Sequence, residues 1–141
     1  MVGGLSGRAR LAHYRHRAGI AVWAWADYLR LAKYLVQRVD DEAAARAAIS
    51  RAYYAAFDSA RMHLVQRGVS VPSTRPAHAL VWSSFHATAD PTQRRIANIG
   101  RILRKKRSHA DYDEIVLHAH LEAQRAIDLA ERLLADLAAL P

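Results

Sequence analysis

The stretch "DDEAAARAAISRAYYAAFDSARMHLVQRG", Asp40 to Gly68, decides the fold class. Acids at its start suit the positive end of a helix dipole, and Gly68 is the residue type most often found just past a helix C-terminus. Between them Ile49, Tyr53, Ala56, Ala60 and Leu64 recur every three or four residues, with Ala52 and Phe57 at the margin. That period predicts one long helix burying a single stripe. Tyr53 falls on the stripe, so its ring belongs to the core and its hydroxyl needs a polar partner there.

The segments on either side carry the same period. Upstream, Trp25, Leu29, Ala32, Val36 and Val39 keep helical spacing, while Asp27, Arg30, Lys33 and Gln37 fall elsewhere. Downstream, "VSVPSTRP" breaks the pattern with prolines and turn formers, which places a loop at about residues 69 to 75. "PAHALVWSSFHATA" reads as a shorter helix. In "DPTQ", Asp90 is the N-cap, Pro91 the first helical residue and Gln93 the third, a capping-box start. Ile96, Ile99 and Leu103 line one side of that helix and Arg94, Asn98, Arg101 and Lys105 the other. "EIVLHAHLEAQRAIDLAERLLADLAAL" predicts a last helix with Val116, Ala119, Ala123, Ile127, Ala130, Leu134 and Leu137 on one face. No segment alternates with the two-residue period of a strand. The expectation is an all-α, antiparallel up-down helical bundle of four long helices plus a short one. The bundle domain spans residues 19–141. Residues 1–18, with "RARLAHYRHR", form a basic N-terminal arm or a short extra helix.

Composition narrows the chemistry. The chain of 141 residues is long enough for one domain. With no cysteine, disulfides, thiolate zinc sites and cysteine nucleophiles are excluded. The run "AGIAVWAWA" behind Arg8, Arg10, Arg15 and Arg17 imitates a secretory leader, but the helical stripe continues straight through the supposed cleavage point. A cytoplasmic protein with no membrane segment is expected. The formal charge is +8, and every cation except Lys33, Lys105 and Lys106 is arginine. Clustered arginines suit an anionic partner, because the guanidinium fork matches phosphate oxygens.

The cations concentrate at Arg94, Arg95, Arg101, Arg104, Lys105, Lys106 and Arg107, with no acid among them. A helix C-terminus favours one or two positive charges, by about 0.3–1 kcal/mol each. The remainder point to a phosphate-bearing ligand, for which Arg101, Lys105, Lys106 and Arg51 are the candidate contacts. His109 follows the cluster, and an imidazole there could take a ribose 2′-hydroxyl proton while Arg104 stabilises charge on the phosphate. No metal or other cofactor is expected. His118 with Glu122 lacks further ligands, and His13 with His16 reads as surface. Narrow alanine faces on the second and last stripes predict a homodimer packed through helices.

Two motifs give a family resemblance. "SRAYYAAFDSARMHL", Ser50 to Leu64, and "RSHADYD", Arg107 to Asp113 at the entrance to the last helix, resemble the HEPN domain family of nucleotide-binding proteins. The resemblance implies a helical bundle, commonly dimeric, that serves as a toxin paired with a minimal nucleotidyltransferase. It also implies metal-independent RNA cleavage by an arginine, the polar residue beside it and a histidine a few residues later, set across the dimer interface. On this chain Arg107 takes the arginine position and Ser108 the polar one, while Tyr112 stands where the histidine belongs. His109 restores the pattern only with Arg104 or by reaching into the site. The implied function is a toxin-like component of a prokaryotic toxin–antitoxin module that binds RNA and, with His109 as base, is a ribonuclease. The alternative is a non-catalytic nucleotide- or RNA-binding adaptor subunit of a nucleotidyltransferase complex.

Three residues near these motifs admit two roles each. Tyr54 either lines a groove with Arg107 or belongs to a hydrogen-bonded helix surface. Asp111 either fixes Arg107 or, as we expect, caps the last helix. Tyr112 either accepts a nucleotidyl group from the partner or packs its ring between the last two helices.

Overall fold

A computed structural model describes residues 23–74 and 76–141. The basic arm over residues 1–18, including His13 and His16, lies outside the described residues. Among the described residues five helices follow in order: α1 (Asp27–Val36), α2 (Glu42–Gln66), α3 (Ala77–His86), α4 (Pro91–Tyr112) and α5 (Ala119–Ala139). There is no strand among the described residues. The architecture is the all-helical bundle that the periodicity predicts, with α1 and α3 as its ten-residue members.

Cross-links between helices fix their directions. Arg46 near the start of α2 meets the end of α4 through the Ala110 carbonyl, and Arg95 near the start of α4 pairs with Asp136 near the end of α5. Arg67, just past α2, donates to the carbonyl of Pro141. Thus α2 runs antiparallel to α4, α4 antiparallel to α5, and α2 and α5 point the same way. The central helix is α2, packed on α1, α4 and α5, while α3 packs mainly on α4.

Local chemistry sets the ends of α2. The Asp41 carboxylate accepts from the Ala44 amide at 3.0 Å, satisfying one of the free N–H groups of the first turn. At the other end Gly68 adopts φ +84°. Its amide bonds the Val65 carbonyl and the next amide, Val69, bonds Leu64, the paired closure of a glycine-terminated helix. Along α2 the buried face is mostly alanine, with Ala45, Ala48, Ala52, Ala55, Ala56 and Ala60 at or near zero exposure. Small side chains let three neighbours approach one helix closely. Bulk comes from Tyr53, Trp82, Phe85, Ile96 and Leu103, all fully buried. An aliphatic or phenyl side chain among them contributes about 1.5–3 kcal/mol on burial.

Gly100 is required by the packing of α3 on α4. A Cβ at Gly100 would clash with the six-membered ring of the Trp82 indole, so only glycine lets that ring lie against the α4 backbone.

The sequence-based boundaries need three corrections. "RSHADYD" does not enter the last helix: it forms the final turns of α4, and α5 begins at Ala119 after a six-residue turn. Arg46 ends α4 there by donating to the carbonyls of Ala110, Asp113 and Glu114. Val116 therefore sits in the turn rather than on α5, and His118 holds a left-handed backbone at φ 54°. Val39 lies beyond α1 and is 63% exposed. On α5 the stripe drifts by one residue, so Leu133 is fully buried while Leu134 and Leu137 are only half-buried.

Candidate nucleic-acid interface

The continuation of α4 to Tyr112 decides which candidates can meet. Residues 104, 107, 108 and 111 share one side of the helix, at offsets of three and four, whereas 109 lies well round from them. Arg107 accordingly faces α2. Its Nε is 2.8 Å from the Asp111 carboxylate, an ion pair in which the N–H is not directed along a hydrogen bond. Asp111 also accepts from the Ser50 hydroxyl at 3.4 Å, and that oxygen in turn accepts from Arg51 at 3.3 Å. Asp111 thus fixes Arg107 and ties α4 to α2. It does not cap the last helix, because it sits in the last turn of α4, and its side chain is already engaged.

Rings and cations alternate across three helices. Arg51 lies over Tyr28 of α1, 4.6 Å from the ring centroid, and over Tyr54 at 5.2 Å. Arg107 lies over the same Tyr54 ring at 5.2 Å and over Tyr112 at 5.5 Å. The series Tyr28, Arg51, Tyr54, Arg107, Tyr112 places guanidinium groups over aromatic rings, each contact worth on the order of 0.5–1 kcal/mol where exposed. Tyr54 therefore shares a face with Arg107. Tyr112 does not pack between the last two helices: it is 71% exposed, since the chain turns away at Asp113.

The other candidates separate. His109 points to the opposite side of α4, where it pairs with Asp113 and lines a cavity of about 440 Å³ with Ile102, Lys105 and Lys106. Within one protomer it is not brought beside Arg107. Lys106 is bound to Glu122, whose carboxyl is held below its ordinary pKa chiefly by that hydrogen bond, so this cation is already neutralised. Arg101 and Lys105 are exposed on the outer row of α4 with Arg94 and have no acidic partner among the described residues. Arg104 is half-buried on the same side as Arg107, and after burial, the main cause, the charges of both lower the pKa of His78. Ser108 is exposed and makes no hydrogen bond among the described residues. No cluster of three metal-ligating side chains occurs among the described residues, His118 and Glu122 included. No described helix is long and apolar enough to cross a membrane.

Four contributors were not singled out from sequence: Tyr28, Arg46, Ser50 and His78. Arg46, Ser50 and Tyr54 form a four-residue row on an otherwise alanine-rich helix, a signal that could have been read. His78 had none, because its role depends on how α3 folds back on α2.

Comparison with known proteins gives one positive result. The model of the HEPN domain family matches residues 27–139, nearly the whole described chain. A search of curated proteins and a search of solved structures each found no match.

Proposed function

The chain belongs to the HEPN domain family, and from that premise we propose that it is the RNA-binding member of a prokaryotic two-component module, toxin-like or adaptor, and that it binds single-stranded RNA. The observation that supports this is the alternation of Tyr28, Arg51, Tyr54, Arg107 and Tyr112 on one face. Unpaired bases stack on aromatic rings and guanidinium planes, while the N–H edges of the same guanidiniums contact phosphate. The half-buried Arg104 beside Arg107 adds a second charge for the backbone. A homodimer, a minimal nucleotidyltransferase partner and a cytoplasmic location belong to the same proposal, on the family resemblance.

Within this proposal the non-catalytic adaptor is the better supported form. His109 is turned to the other side of α4 and paired with Asp113. Tyrosine at the histidine position is a poor base at pH 7, with a reference pKa of about 10. The exposed Tyr112 is instead suited to receive a nucleotidyl group from the partner enzyme. In that step the phenol oxygen bonds the α-phosphorus, pyrophosphate leaves and the phenol proton passes to solvent. The added phosphodiester would occupy Arg107 and displace RNA.

The test uses a labelled single-stranded RNA in chelator, with anisotropy for binding and gels for integrity. Wild type should bind, and Arg107→Gln should bind about tenfold or more weakly, from the loss of a charge-assisted contact. Intact RNA supports the adaptor form. Fragments that persist in chelator and disappear in Arg107→Gln support the ribonuclease. No binding by wild type at low salt refutes the proposal.

A further inference from the structure

His78, in the first turn of α3, is half-buried beside the Tyr54 ring. Its ring stacks on Phe57 with centroids 4.2 Å apart and meets Tyr54 edge-on at 6.1 Å, and Tyr54 is the ring over which Arg107 lies. His78 Nδ1 is 2.6 Å from the Tyr53 hydroxyl, which lies 3.3 Å from the Trp82 indole nitrogen.

Chemistry fixes the direction of these bonds. An indole N–H can only donate, so the Tyr53 oxygen accepts from Trp82, and the fully buried Tyr53 O–H then has His78 Nδ1 as its one acceptor among the described residues. Burial raises the Tyr53 pKa and keeps that proton in place. Nδ1 of His78 is therefore the acceptor, and the neutral ring carries its hydrogen on Nε2. Burial first, and then the charges of Arg104 and Arg107, hold His78 below its ordinary pKa, so the neutral form prevails at pH 7. Nε2 has no partner among the described residues and is not one of the atoms sealed from solvent.

We infer that His78 is a phosphate-contacting residue of the RNA site: its Nε2–H donates to a phosphodiester oxygen held by Arg104 and Arg107. The inference rests on the RNA reading of that face. A neutral donor adds direction without a further charge beside two cations. Because Nδ1 is engaged by Tyr53, the ring has no free lone pair to take a ribose proton, so His78 recognises phosphate without serving as a base.

The experiment measures anisotropy of a labelled single-stranded RNA oligonucleotide with wild type, His78→Asn, His78→Gln and Arg107→Gln. Asparagine keeps an acceptor for the Tyr53 hydroxyl but has no donor at the ε position, and should weaken binding about tenfold to a hundredfold. Glutamine restores an N–H near that position and should recover part of the loss. Unchanged affinity in His78→Asn overturns the inference. If Arg107→Gln alone weakens binding, the RNA site stands and the His78 contact falls; if neither does, both fall. Should His78→Asn fail to fold, the imidazole nitrogen spectrum of wild type decides. Nε2 must carry the proton at neutral pH and shift when the oligonucleotide is added, and a proton on Nδ1 or an unmoved resonance overturns the inference.

Discussion

Replacing Gly100 with alanine tests the packing that supports the Tyr54 and Arg107 face from behind. In an open helix this change would stabilise the protein by about 1 kcal/mol, because glycine is the poorer helix former. Here the added methyl clashes with the Trp82 indole, a rigid and fully buried ring with Ile96, Leu103 and Phe85 in the same core. Overpacking of this kind costs about 1–3 kcal/mol. Displacing the indole also strands its N–H, now bonded to Tyr53, at a further cost of about 1–3 kcal/mol for an unsatisfied buried donor. The net expectation is destabilisation by about 1–5 kcal/mol after the propensity gain is subtracted. Equilibrium urea unfolding followed by circular dichroism measures it. A second cycle in a Trp82→Phe background should show a smaller penalty, since the smaller ring leaves room for the methyl. If Gly100→Ala is as stable as wild type or more so, with no coupling to Trp82, the placement of α3 against α4 is wrong.

Three more outcomes are expected. Arg46→Ala should cost about 1–3 kcal/mol and fray the end of α4, because the carbonyls of Ala110, Asp113 and Glu114 lose their shared donor; hydrogen exchange at Ala110 to Asp113 reports it. Burial, and then Arg67, lower the His63 pKa from 6.5 to about 4, so the unfolded chain takes up a proton that the native one refuses. Stability should therefore be full above pH 6.5 and fall as the pH drops towards 4, by on the order of 1 kcal/mol after discounting for partial solvent screening; His63→Gln should lose that part of the slope. Arg101→Ala with Lys105→Ala should reduce the salt dependence of RNA binding while lowering affinity less than Arg107→Gln does, since those two side chains lie on the outer row of α4.

Local periodicity carried most of the fold. The α2 stripe was legible because alanines and aromatics at three- and four-residue spacing leave only one way to bury them, and the caps at Asp41, Gly68 and Asp90 are encoded within a few residues. The division between α4 and α5 was not legible. Ile115, Val116 and Leu117 continue the apolar pattern through the turn, and what ends α4 is a guanidinium 64 residues away. That one boundary also misplaced the site. With "RSHADYD" outside a helix, His109 could be imagined beside Arg107; inside α4 the two point apart, and Asp111 and Arg107 become neighbours one turn removed. Tyr28 and His78 come to this face from α1 and α3 by tertiary packing, for which no local pattern exists.

The most direct measurement of where RNA lies is photocrosslinking with a single-stranded oligonucleotide carrying 4-thiouridine, with the modified residues read by mass spectrometry. The account predicts adducts on Tyr112 and Tyr54, the exposed and half-buried rings on either side of Arg107, and their loss in Arg107→Gln. Adducts confined to the outer row of Arg94, Arg101 and Lys105, or to the turn at Ile115 to Leu117, with Tyr54 and Tyr112 unmodified, would contradict it.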